Sequence, residues 1–306
     1  PPAILSMYLG NDLEEKIEKF IYAGTLSKDN STGDIDLDAG SVPVLDKDGS
    51  DRNRTSPMAF TGNKFEFRMP GSNANVSGAN MVLNTAFAKA LEEFNNNFAE
   101  QLSGDCANIF EDEECLEKAV QLIKLNYENH KHIIFNGDGY TEEWLKTAKD
   151  RGLVNFKTTA DALPCIKSQK AIDLFGSQNV FNKDELEARY EVELEKYNKL
   201  INIEIRLMKR MVRRTFLPAI NEYMIELAEG VNKISAAIDS IPATLNQQEV
   251  LNRLQKAYNN AFVLQESLDV LHKESLEMQD QQERANFNTH TIFPLMKELR
   301  DKIDHA

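Results

Sequence analysis

The spacing of apolar residues changes twice along the chain. Leu9, Leu13, Ile17 and Phe20 or Ile21 recur at steps of three and four, which predicts a helix over 8–22. Residues 24–52 scatter Gly, Asp and Ser without a period, so a long irregular excursion is expected. Met58, Phe60, Phe65 and Phe67 then alternate with small or polar residues around Thr61-Gly62-Asn63, the pattern of a β-hairpin or of two short strands. Helical spacing returns from about Ser77 to Leu102 through Met81, Asn84 or Thr85, Ala88, Leu91, Phe94 and Phe98, and a further helix is expected over about 112–130. "HIIFNGDGY" (132–140) is a short apolar run ending in a glycine-containing turn. Thr141 is a candidate N-cap there, with Glu142 and Glu143 suited to the positive end of the next helix.

From about residue 183 the pattern is helical throughout. Leu186, Tyr190, Leu194, Tyr197, Ile201, Ile205, Met208, Val212 and Phe216 form one stripe of a very long helix, kinked or broken near Pro218. A second long helix is expected over 246–279 through Leu251, Leu254, Tyr258, Leu268 and Leu271, and a shorter one over 291–304, starting near Pro294. Stripes of this length usually line the core of an antiparallel bundle. The fold class expected is α+β, mostly helical, with one domain over 1–150 and a helical bundle over 151–306.

Composition narrows the function more than the fold. Hydrophobic residues at 42% and charged residues at 27% describe a globular chain, and only 14 glycines and 9 prolines favour long helices. A net charge of −14 works against nucleic acid and anionic lipid as partners. No apolar run is long enough to cross a bilayer and no signal peptide opens the chain, so no membrane association is expected. Cys106, Cys115 and Cys165 are odd in number and form no CxxC pair, which points to reduced thiols and a cytoplasmic location. The start at Pro1-Pro2, with no initiator methionine, suggests a piece of a longer protein or a processed product.

Several stretches tempt a chemical reading and yield a plainer one. "DIDLDAG" (34–40) alternates aspartates, but an EF-hand loop needs Gly sixth and Glu twelfth, where Ala39 and Leu45 stand, so a solvated acidic loop is the better reading. "KRMVRR" (209–214) lies on the long helix, where Arg206, Lys209, Arg210 and Arg213 can pair with acidic side chains at helical spacing. His130 and His132 are two apart, as on a strand, but have no third ligand nearby. Cys115 has no histidine partner and reads as a buried or neutral thiol. "NGDG" (136–139) lacks the lysine and spacing of a P-loop and reads as a tight turn.

The stretch "DRNRTSPMAFTGNKFEFRMPGS" (51–72) is different. On a strand, Lys64, Glu66 and Arg68 share one face while Phe65 and Phe67 share the other. A solvent-exposed ion pair explains this as well as a site does, by periodicity alone. Cations beside a carboxylate hold it ionised, an ionised carboxylate on a strand suits a hard metal ion, and Arg54 and Arg68 could grip phosphate or carboxylate oxygens. Metal plus arginines is the equipment of phosphoryl transfer.

This stretch closely resembles the signature of glutamine synthetases, in particular the large type III form. "PPAILSMYLG" looks like the segment after that family's flap glutamate. "HIIFNGDGYTEEWLKTAKDRGLVN", "TTADALP" and "ELEARYEVELEKYNKLINIE" look like its continuation into the C-terminal helical domain. The match in wording reaches about residue 229; beyond it the likeness is one of helical character. The resemblance implies that the hairpin is the last part of a glutamine synthetase-type catalytic sheet, followed by the long-helix bundle.

The resemblance also implies a reaction. The family joins ammonia to glutamate with ATP, through a γ-glutamyl phosphate, using Mg2+ or Mn2+, in homo-oligomers of stacked rings. By resemblance Glu66 would be a metal ligand, Arg68 would contact glutamate and the phosphoryl group, Arg54 would stabilise charge on the γ-phosphate, and Lys64 would sit near the nucleotide phosphates. Arg54 and Glu66 stand closer together than in the classical bacterial form, so no nucleotide-contacting arginine of the intervening loop is carried over. The family's other metal ligands, its flap glutamate and its ammonia-site aspartate lie upstream of the matched segments, so this chain is expected to hold one wall of the site and to be inactive alone. The alternatives are a non-catalytic helical assembly module and another γ-glutamyl-amine ligase of the same superfamily.

Overall fold

The computed structural model describes residues 4–23, 34–35, 45–46, 56–68, 75–101, 112–238 and 245–305. The chain divides into two units, Pro1–Lys157 with Asp173–Phe181, and Thr158–Ile172 with Asn182–Ala306. It is mostly helical α+β, as the sequence predicts.

In the first unit, β1 (Met7–Tyr8) runs parallel to β4 (Met58–Phe60), which pairs antiparallel with β5 (Phe65–Phe67). β2 (Asp34–Ile35) and β3 (Leu45–Asp46) form a separate antiparallel pair inside the stretch expected to be irregular. The first helix, α1 (Asn11–Ala23), starts three residues later than its stripe suggests, because residues 7–8 are drawn into the sheet. α2 (Ser77–Gln101) and α3 (Glu113–His130) follow their expected ranges closely. Asp112 caps α3 by accepting from the Glu114 and Cys115 amides, and Thr141 caps α4 (Glu142–Asp150) by accepting from the Trp144 amide. The core here is small. Ile4, Trp144 and Ala148 are buried together, with Phe135 stacked on Trp144 at 3.7 Å between ring centroids. A Cβ at Gly137 would come within 2.8 Å of the Phe135 ring, so a larger residue there would have to displace that ring from its stack on Trp144. The Asp173–Ser177 part of a short helix, α6 (Gln169–Ser177), also belongs to this unit and includes the buried Phe175.

The second unit is a helical bundle with a continuous core. A short helix, α5 (Thr159–Ala162), leads into a 3-10 turn that sets Leu163 against Tyr190 and Leu194. The long helix opens with Asn182, whose side chain accepts from the Glu185 amide while Glu185 accepts from the Asn182 amide, a reciprocal capping box. It runs as α7 (Lys183–Met211), a π-helical turn (Val212–Phe216) and α8 (Leu217–Ala237). α9 (Leu245–Glu277) packs against it, followed by α10 (Gln281–Phe287), a second π-helical turn (Asn288–Ile292) and α11 (Phe293–Asp304).

Directions follow from the contacts. Tyr190 and Tyr197 of α7 bond Gln282 and Thr289, rising together, so α10 runs parallel to α7. Asn202 bonds His272 while Arg213 bonds Glu266, so α9 runs antiparallel to α7. Ile201, Ile205, Val212, Leu217, Ala261, Leu268, Ile292 and Leu299 form one buried cluster.

The kink or break expected near Pro218 takes the form of a widened turn, and the helix does not end there. Leu217 donates to the Val212 carbonyl and Phe293 to the Asn288 carbonyl, each five residues back, and a proline follows each donor. Proline cannot donate, and its ring crowds the carbonyl four residues earlier. Widening the preceding turn relieves this without ending the helix. The last helical stretch also begins earlier than expected, since α10 and its π turn occupy 281–292 ahead of α11.

Candidate functional site

The hairpin that carries the candidate residues is closed by a tight loop. The Thr61 amide donates to the Lys64 carbonyl at 2.8 Å, and Gly62 sits at φ +92°, a backbone state that strains side chains other than glycine. Met58 pairs with Phe67, Ala59 with Glu66 and Phe60 with Phe65. The Arg68 amide donates to the Pro57 carbonyl at 2.7 Å and extends the ladder past β5. This register fixes the alternation that brings Lys64, Glu66 and Arg68 to one face.

The three side chains meet. Arg68 donates from Nε and Nη2 to Glu66 Oε2 at 3.3 and 3.2 Å, and Lys64 Nζ lies 3.5 Å from Oε1. Their side chains are exposed to different degrees: Lys64 65%, Glu66 41%, Arg68 15%. The arginine is therefore the anchored member and the lysine the solvated one. Arg54 lies outside the described residues. Such a face can take an anion on its cations or offer Glu66 to a cation. It does not by itself form a divalent-metal site: a hard cation wants about six oxygen ligands, and the described residues contain no group of three or more His, Cys, Asp or Glu placed to hold a metal.

Residues not singled out in the sequence hold this sheet in place. Ser6 donates to Ser56 at 3.2 Å and Ser56 to the Phe135 carbonyl at 3.2 Å, with both serines buried. Asn136 accepts from the Leu9 and Gly10 amides at 3.1 and 3.0 Å and donates to Glu14 at 2.5 Å, tying the start of α1 to the "NGDG" turn. Asp138 accepts from the Tyr140 amide at 2.9 Å. Asp138 thus closes its own turn, while Asn136 is committed to the start of α1. Nothing in the spacing of Ser6, Ser56 and Asn136 announces these contacts, which span 50 to 127 residues of sequence.

The remaining candidates resolve as follows. In "KRMVRR", Lys209 pairs with Asp269 at 2.5 Å and Arg213 with Asp269 and Glu266. Partners exist as expected, but they lie on α9 rather than at helical spacing. His130 ends α3 and His132 lies in the 3-10 turn after it, not on a strand; their rings are 6.4 Å apart. Cys115 is disulfide-bonded, whereas Cys165 is an exposed free thiol. The expectation of reduced cysteines is corrected on this point, since pairing depends on proximity in space and an odd count excludes only a complete set. Residues 36–40 of "DIDLDAG" lie outside the described residues. No helix among the described residues is long and apolar enough to cross a membrane.

Comparison with known proteins gives a consistent picture. A family model described as the glutamine synthetase C-terminal domain matches residues 118–235. A type-3 glutamine synthetase of Dictyostelium discoideum is 35% identical over 308 residues, covering 100% of this chain and 41% of that protein. Glutamine synthetases of Bacteroides fragilis (strain YCH46) and Butyrivibrio fibrisolvens are 31% and 33% identical, again over 100% of this chain and 42% of theirs. The chain thus spans about two fifths of the length of these curated relatives. Likeness along its whole length, with a family match across its centre, shows that the chain belongs to the glutamine synthetase family.

Proposed function

We propose that this chain supplies one wall of a glutamine synthetase active site, in a protein that joins ammonia to glutamate using ATP through a γ-glutamyl phosphate. The observation that carries the reading is the convergence of Lys64, Glu66 and Arg68 on one face of the β4–β5 hairpin, with Glu66 bonded to Arg68 and ion-paired with Lys64. It lies in a chain similar throughout to proteins named glutamine synthetase. Phosphoryl transfer needs preorganised positive groups where charge develops, and little covalent chemistry from the protein. Arg68, mostly buried, would hold its planar fork toward the glutamate substrate and the transferring phosphoryl group. Arg54 would face the γ-phosphate, and Lys64, the most solvated of the three described residues, the nucleotide phosphates. Glu66 would give one oxygen to a Mg2+ or Mn2+ ion, which supplies charge neutralisation at the phosphates. Its other ligands would come from the part of a full-length protein that this chain does not match. The wall would end near residue 150, and the helical domain would follow, in a ring-forming homo-oligomer.

The test is made in the full-length protein. Glu66→Gln keeps the shape and removes the charge, so metal-dependent phosphate release with ATP, glutamate and ammonia should fall by orders of magnitude while the fold survives. Arg68→Lys should also be damaging, because a point charge does not replace a fork. Near wild-type turnover of Glu66→Gln at modest Mg2+ would show the hairpin face to be structural only. The 306-residue chain alone should show no glutamate-dependent phosphate release above background.

A further inference from the structure

α9 buries residues 254, 261, 265, 268, 272 and 275, with Tyr258 partly buried between them. The steps alternate four and three, the spacing of a coiled-coil seam. Three of these positions are polar: Gln265, His272 and Ser275. His272 is the titratable one, and both its ring nitrogens are engaged. Nε2 lies 2.7 Å from Asn202 Oδ1 and Nδ1 lies 3.2 Å from Lys209 Nζ. An ammonium can only donate, and Lys209 Nζ is ion-paired with Asp269 at 2.5 Å, with side chains 20% and 14% exposed. Nδ1 must therefore accept, and Nε2 carries the proton that goes to Asn202. Only the neutral ring satisfies both neighbours. A proton on Nδ1 would turn an N–H toward an ammonium.

The charged groups facing the ring come from each helix packed on it: Lys209 and Arg206 from α7, Arg284 from α10, and Asp269 from α9 itself. Cations outnumber the carboxylate by three to one. We propose that His272 is a proton-sensitive clasp between α7 and α9, made at both ring nitrogens while the ring is neutral and lost on the Lys209 side when Nδ1 takes a proton. Lys209 remains bound to Asp269 on release, so the protonated ring finds no carboxylate without breaking that pair. Burial first, and then Lys209, Arg206 and Arg284, hold the imidazole below its usual range, and Asp269 opposes them. Because the folded ring resists protonation, its contribution is present above the ordinary imidazole value of about 6.5. It is lost as pH falls from there through the lower folded value.

The test uses the full chain. Between pH 7.5 and 5 the wild-type folding equilibrium constant should fall by up to about tenfold for each pH unit between the ring's two values. Gln can donate to Asn202 and accept from Lys209 without titrating, so His272→Gln should lose that part of the slope. The ring should also titrate below the ordinary value by NMR, with the proton on Nε2 in the neutral form, a measurement that needs no variant and decides the matter if His272→Gln does not fold. A ring that titrates at or above the ordinary value, or a folded His272→Gln chain with the wild-type pH slope, would overturn the proposal.

Discussion

α2 and α7 have similar stripes in the sequence and different fates in the structure. Of the α7 stripe, Leu186, Tyr190, Leu194, Ile201 and Ile205 are buried. Of α2, only Thr85 is buried, while Phe87 is 66% and Leu91 49% exposed. Both satisfy the helical period, so the period alone does not say whether a face finds a partner. α7 has α9, α10 and the 3-10 turn to close on; its own unit supplies its core. Among its described residues, the first unit shows a small cluster around Trp144 and two sheets of very short strands. The lesson is that an apolar stripe is a demand for a partner, and only the rest of the chain can meet it.

The sharpest way to break this comparison is to place a charge in the bundle core. Ile201 is 4% exposed, and Ile201→Asp should cost roughly 3 kcal/mol or more, read as a large drop in the circular dichroism melting midpoint. An unchanged midpoint would remove the packing described for α7. Trp144→Ala comes next, at about 3 kcal/mol for an aromatic lost from a core that includes the stacked Phe135. Trp144 is the only tryptophan, so wild-type fluorescence follows the first unit while circular dichroism follows mainly the long helices. Coincident transitions in Ile201→Asp would show that the two units unfold together, and separate ones that they do not. Asn182→Ala removes one half of the capping box and should cost about 1 kcal/mol, measured by urea unfolding with an unchanged slope. The smallest effect should be Phe87→Ser on α2, within about 0.5 kcal/mol of wild type. A clearly larger loss would mean that the exposed face is covered in solution.

Much of the fold is legible where its signals are local. The Asn182–Glu185 capping box, the Thr141 cap, the stripe from Leu186 to Ile205 and the Gly62 turn each lie within a few residues of what they determine. The same holds for the shared face of Lys64, Glu66 and Arg68, which follows from strand alternation. β1 is not legible because two residues carry no period; its pairing with Met58 and Ala59 is set by chain about fifty residues away. Asn198, Gln265, His272, Ser275 and Asn288 are buried polar residues that the apolar period of their helices does not mark. Asn198 donates to Gln281 at 3.0 Å and accepts from Asn288 at 3.4 Å, while Ser275 donates to Asn288 at 2.6 Å. A polar side chain at a core position reads as an interruption until its partner is known. The position of Arg68 relative to Glu66 is likewise visible in the sequence, but its 15% exposure against 41% for Glu66 is not, since it depends on the surrounding fold.

The two widened turns bear on how this chain tolerates changes in length. Removing one residue from an ordinary helix rotates everything beyond it by roughly 100°, which would swing Leu268 or Ile205 out of the bundle. A π turn already holds one residue more than the α-helical ladder requires. The segments Val212–Phe216 and Asn288–Ile292 are therefore the places in the bundle where a residue can be lost while the downstream face keeps its heading. Pro218 and Pro294 stand just past them, so that spare residue is kept where the ladder is already interrupted.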